Sequence, residues 1–258
     1  MTERTVVWRP LDVDAVEVVL CDADGTLFDS EPPAFGASTA VTNRLLTTLG
    51  IERTFTPDGL RAWALGRTFR SVASALAADA DVVIEADALE RWVIDERTAV
   101  TEQLAAVLPP AAAGVRHALD ELSRRVRLAV VTSSATPRLE ACLTATALDD
   151  LFPLDVRFSA EDSLPTPVSK PDPDIYRFAG EALDVSGARG LAVEDSVAGV
   201  RSAVAAGFPT VGMLAFVPQH ARAARVAALR DAGAAAVVPS WRHLASLLVT
   251  GRPCRSNA

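Results

Sequence analysis

The sequence predicts an α/β fold, a Rossmann-like doubly wound parallel sheet with an inserted all-helical cap domain. Three observations predict it. Short apolar runs rich in β-branched residues alternate with helical patterns over residues 109–250, and a run of the same kind stands apart at residues 16–21. Between the two, apolar residues recur at spacings of three and four with no convincing strand. Strands alternating with helices of this length imply right-handed crossovers and a parallel sheet covered on both faces.

In chain order, VEVVLC at residues 16–21 reads as a buried strand that ends at an acidic Asp-Gly turn. Residues 40–49, 60–64, 69–77 and 89–108 carry the helical spacing of the cap. After Pro109 and Pro110 come a helix at 115–122, a strand at 128–132, a helix at 137–147, a strand at 156–159 and a helix at 173–183. A strand at 191–193, a helix at 197–206, strands at 210–214 and 235–238 and a helix at 241–248 complete the pattern. The expected division is a core of residues 14–32 and 109–250, a cap of 33–108, and tails at 1–13 and 251–258.

Composition narrows the function classes. A chain of 258 residues buries roughly 70–75% of its unfolded surface and needs no disulfides to fold. Cys21, Cys142 and Cys254 are too far apart for a metal knuckle and odd in number, which fits a reducing cytoplasm. Residues 1–14 mix charges of both signs and lack the apolar core of a signal peptide, and no stretch reaches the ~18 apolar residues of a membrane span. A net charge of −8 argues against nucleic-acid binding, which draws on clustered Lys and Arg. A cytoplasmic protein that is a monomer or small homo-oligomer and binds neither membrane nor nucleic acid is expected.

Open α/β sheets bind ligands beyond the carboxyl ends of their strands, and four such positions carry chemistry. Asp22 and Asp24 follow the first strand around Gly25. Two acids so close raise each other's pKa unless a cation neutralises them, so the pair implies either a bound metal or a retained proton, and magnesium would satisfy both carboxylates. Thr132, Ser133 and Ser134 end the second strand where a helix begins, and hydroxyls meeting free N–H groups at a helix start suit an anion. Lys170 precedes Pro171, which stiffens the turn before the next helix. It is the only lysine in the chain, every other Lys/Arg position being Arg, so a compact ammonium is required there. Glu194 and Asp195 end a further strand.

Taken in order, DADGT from Asp22, VTSS around Thr132, Lys170 before Pro171, and VEDS around Glu194 and Asp195 resemble the four motifs of the haloacid dehalogenase superfamily. DADGTLFDSEPP, SKPDPDIY and AVEDSVAGVRSAVAAG are most similar to its beta-phosphoglucomutase and phosphoglycolate phosphatase-like branch, which carries a helical cap between the first two motifs. The resemblance implies a phosphatase acting on a small phosphorylated metabolite. Asp22 would attack phosphorus to give an aspartyl-phosphate, and Asp24 would protonate the leaving alcohol and then activate water. Magnesium would be held by Asp22, the Asp24 main-chain carbonyl and Asp195, with Glu194 beside or on it. Thr132, the Ser133 N–H and Lys170 would hold phosphate oxygens. In the cap, Gly66, Arg67 and Arg70 resemble the segment that contacts substrate, with Trp63 able to stack on a ring.

Rival activities are separated by particular residues. Haloacid dehalogenases lack the second acid, which here is Asp24. Phosphonoacetaldehyde hydrolases need a cap lysine, and this chain has none besides Lys170. A beta-phosphoglucomutase is the first alternative, but it carries a histidine where Ala34 aligns and a cap lysine. A non-catalytic phosphoacceptor or binding protein is the second; a response-regulator receiver places its acceptor Asp after the acidic pair, whereas Asp22 comes first. His117, His220 and His243 fall away from the strand ends and receive no role, and Cys21 reads as a packing residue.

Overall fold

A computed structural model describes residues 4–64 and 67–250. The chain divides into two compact units, Met1–Asp29 with Pro109–Ala258, and Ser30–Leu108.

The first unit is built on seven strands: β1 (Val6–Val7), β2 (Val18–Cys21), β3 (Arg127–Thr132), β4 (Arg157–Ser159), β5 (Gly190–Glu194), β6 (Thr210–Met213) and β7 (Ala236–Val238). Their order across the sheet is β1-β7-β6-β5-β2-β3-β4. All neighbours run parallel except β1, which pairs antiparallel with β7. The central strand β2 is buried along its whole length, as a parallel strand covered on both faces must be. From β2 the chain winds outward through β3 to β4, then returns to the other side of β2 at β5 and winds outward again. That reversal opens a crevice at the carboxyl ends of β2 and β5. It is where the acids fall.

Among the described residues six α-helices belong to this unit: α5 (Ala113–Ser123), α6 (Thr136–Ala145), α7 (Asp174–Leu183), α8 (Val197–Ala205), α9 (Arg222–Ala232) and α10 (Trp241–Thr250). The second unit is all helical among the described residues: α1 (Glu31–Thr48), α2 (Pro57–Ala64), α3 (Phe69–Asp79) and α4 (Ala86–Val107). Its core gathers Leu46, Leu60, Ala64, Val72 and Leu76, with Ile51, Phe55 and Trp63 packed against them. Among the described residues no helix is long and apolar enough to cross a membrane.

Three elements depart from the sequence reading. Val6–Val7 falls in the segment expected to be a tail, yet it forms the edge strand β1; two residues are too short to show an alternating pattern. The helix α9 was not anticipated, because only Leu229 of its eleven residues is buried and no apolar stripe marks it. The helix α1 starts at Glu31, nine residues before the expected helix, with Pro at its first turn. Proline there loses no hydrogen bond and its ring presets the helical φ.

Candidate active site

Asp22 leaves the end of β2 with its N–H bonded to Val193 O at 2.9 Å, which sets it level with the last residue of β5, Glu194. The chain then turns through Gly25 at φ +81°. A Cβ on Gly25 would lie 2.7 Å from Asp195 Oδ2, so only glycine lets the turn and Asp195 share this space. Trp241 fixes the turn from behind, donating Nε1–H to Thr26 O at 2.8 Å.

Lys170 ties the strand ends together. Its Nζ donates to Asp22 Oδ1 at 2.7 Å, Glu194 Oε1 at 2.6 Å and Val131 O at 2.7 Å. An ammonium has three donors, and all three are engaged in a side chain only 6% exposed. The Lys170 N–H also reaches Ser133 Oγ at 3.2 Å. Tyr176 O–H joins from α7, 2.7 Å from Glu194 Oε1.

The electrostatics follow from this burial. Burial pushes the Glu194 carboxyl up, the Asp22 charge adds to it, and Lys170 works against both. Burial likewise raises Asp22 against the downward pull of Lys170. Burial alone would lower the Lys170 ammonium, but the charges of Asp22 and Glu194 outweigh it and hold it raised. The three groups titrate as one interdependent unit, in which Lys170 favours the ionised form of both acids while the two acids oppose each other.

The remaining predicted residues sit around it. Asp24 is held by Ser134 Oγ–H on Oδ2 at 2.6 Å and by Arg138 Nη2 on Oδ1 at 2.7 Å. Thr132 is buried, and its Oγ1 accepts the Ser134 N–H at 3.0 Å. Asp195 follows β5, and Arg225 of α9 donates to its main-chain oxygen at 2.6 Å. Cys21 is buried beneath the site, its thiol pushed up by burial. The cap residues lie in the other unit. Arg67 is exposed, with its guanidinium carbon 4.9 Å from the Trp63 ring centre. Arg70 is paired with Glu90, and Gly66 lies outside the described residues.

Residues 16–207 match the family described as haloacid dehalogenase-like hydrolase. The chain belongs to that family. It is 33% identical over 237 residues to a plasmid-encoded phosphoglycolate phosphatase of Cupriavidus necator, covering 91% of this chain and 94% of that one. It is 30% identical over 197 residues to a phosphorylated carbohydrates phosphatase of Thermotoga maritima, covering 76% and 84%. A haloacid dehalogenase family hydrolase of Deinococcus radiodurans, solved with bound phosphate and sodium, superimposes with a TM-score of 0.66 at 27% identity over 92% of this chain and 96% of that one.

The donors of this haloacid dehalogenase-like hydrolase suit a hard cation. Carboxylate oxygens of Asp22, Glu194 and Asp195 come within 4.8 Å of one another, an all-oxygen set of the kind that holds magnesium or calcium. Glu194 Oε2 is buried with no hydrogen-bond partner, and a buried charged oxygen left so is a place for a further ligand. Gly199 leaves the room that carboxylate occupies, since a Cβ on it would overlap the Glu194 oxygens.

Four contacts of the site were not foreseen as such: Ser134 and Arg138 on Asp24, Tyr176 on Glu194, and Arg225 on Asp195. One had a signal, because Tyr176 is the only tyrosine, as Lys170 is the only lysine. Arg138 and Arg225 are two among many arginines and carried none.

Proposed function

We propose that this hydrolase is a cytoplasmic, magnesium-dependent phosphatase that cleaves a small phosphomonoester, a sugar phosphate or similar metabolite, through an aspartyl-phosphate on Asp22. The observation that carries the reading is Lys170 Nζ bridging Asp22 and Glu194 at 2.7 and 2.6 Å beside Asp195. An ammonium against a buried carboxylate aims it and offsets part of the cost of its charge. The phosphatase names of two relatives support the same reaction class.

In the first step an Asp22 oxygen bonds to phosphorus, the bond from phosphorus to the ester oxygen breaks, and Asp24 gives its proton to the departing alcohol. In the second, Asp24 takes a proton from water as the water oxygen attacks phosphorus, which frees inorganic phosphate and returns Asp22 as a carboxylate. Thr132 and the Ser133 N–H hold the phosphoryl oxygens through both steps, joined by Lys170 when its Nζ exchanges one of its three acceptors, Asp22, Glu194 and Val131 O, for a phosphoryl oxygen. Asp22, the Asp24 main-chain carbonyl and Asp195, with Glu194 beside or on the ion, would hold magnesium. When bound it neutralises charge on the phosphate and on the acids that surround it.

The test is phosphate release from a panel of phosphorylated metabolites with and without magnesium, with Asp22→Asn as the control. Release by the wild type in magnesium alone is expected; release that persists in Asp22→Asn ends the reading. In the cap, Arg67 is the residue put forward for substrate contact. Unchanged kcat/KM across the panel in Arg67→Ala removes it.

A further inference from the structure

A cavity of about 600 Å³ opens at the amino ends of β2 and β3, and its lining comes wholly from the first unit. That volume falls in the range of ~300–1,000 Å³ typical of small-molecule sites. Glu17 lines it just before β2, and at ~3.3 Å per residue the strand carries the chain ~16 Å from there to Asp22. A ligand here is therefore separate from the phosphoryl site. The floor is apolar, formed by the buried Val126, Leu128 and Val156 together with Val16 and Leu151. Arg124, Arg125 and Arg127, at the junction of α5 and β3, supply the charge. Glu17 is held by Arg189 from outside the cavity through two bonds of 2.8 Å, and Arg125 is matched by Asp14 at 3.2 Å. Among the described residues the Arg124 guanidinium has no partner, and Arg127 has only a bond to Leu183 O at 3.4 Å. Asp155 is the lining acid left without a cation. Two guanidinium groups thus stand against one carboxylate, on a chain whose net charge of −8 disfavours anions elsewhere.

We propose that this cavity is a second ligand site, which takes an organic phosphate of nucleotide size, with its phosphate groups on Arg124 and Arg127 and its body on the apolar floor. A guanidinium matches two phosphate oxygens at once and is weakly hydrated, so it gives up water to an anion at little cost. Inorganic phosphate alone would leave the apolar floor uncovered. An uncharged ligand would leave both guanidinium groups unmatched. A molecule with a phosphate head and a nucleoside-sized body satisfies both surfaces, and a guanidinium not engaged by phosphate can stack on a planar base.

The experiment is titration calorimetry on the full chain, without magnesium, using α,β-methylene-ADP, whose terminal phosphorus is bonded to carbon and is not hydrolysed as an ester. Adenosine and methylenediphosphonate test the body and the head separately. The analogue is expected to bind, and each half alone at least about tenfold more weakly. Arg124→Glu, a change at an exposed and unpartnered side chain, and Arg127→Glu each weaken the analogue by about 10–100-fold. Binding that neither charge reversal alters places the analogue elsewhere on the chain and overturns the site, as does no binding at all. Methylenediphosphonate or adenosine binding as tightly as the whole analogue overturns the class of ligand.

Discussion

Lys170 Nζ meets Asp22 Oδ1 at 2.7 Å across 148 positions of sequence, and the same nitrogen meets Glu194 at 2.6 Å. The three acceptors around it suit a compact ammonium, and a planar guanidinium cannot occupy the same point. Lys170→Arg therefore lowers kcat by about 10²–10³-fold in phosphate-release assays. Lys170→Met leaves two buried acids uncompensated and costs about 3–5 kcal/mol in urea unfolding. An arginine variant with wild-type turnover would show that position, and not shape, is what matters.

Gly25→Ala combines two penalties. Its φ of +81° strains any other residue by about 1–2 kcal/mol, and the new methyl lies 2.7 Å from Asp195 Oδ2. Because Asp195 must move, the magnesium concentration for half-maximal phosphate release rises about 10–100-fold. An unchanged magnesium midpoint in this variant would remove Asp195 from the metal site.

Tyr176→Phe removes the hydroxyl 2.7 Å from Glu194 Oε1 and keeps the ring. A loss of about 1–2 kcal/mol in unfolding free energy is expected, read from the denaturation midpoint. No shift would mean that Lys170 alone satisfies Glu194.

Arg225→Met frees the Asp195 main-chain oxygen that the guanidinium holds at 2.6 Å. Titration calorimetry with magnesium is expected to show affinity weaker by about tenfold. Equal affinities in variant and wild type would make this contact a packing feature of α9 alone.

The four strand-end motifs were legible because each carries its chemistry within a few adjacent residues: Asp22 and Asp24 around a glycine, Glu194 with Asp195, and a lysine conspicuous for being alone. Most strands were legible because buried parallel strands are continuous apolar runs. What stayed hidden depends on distance in sequence. Arg138 reaches Asp24 over 114 positions and Arg225 reaches Asp195 over 30, and local pattern says nothing about which of many arginines will do so. The helix α9 escaped notice because alanine and arginine make up most of it, and it packs on the core with little more than Leu229, Val226 and Ala232.

The antiparallel pairing of β1 with β7 bears on colloidal behaviour. A sheet border presents unsatisfied amide and carbonyl groups that template pairing with a neighbouring molecule. Val6 and Val7 occupy that border on β7, and the Trp8 and Arg9 N–H groups bond to Ala235 O just beyond it. A truncated version starting after Arg9 would bare the apolar strand Ala236–Val238 to other copies and self-associate, even with every reactive group intact.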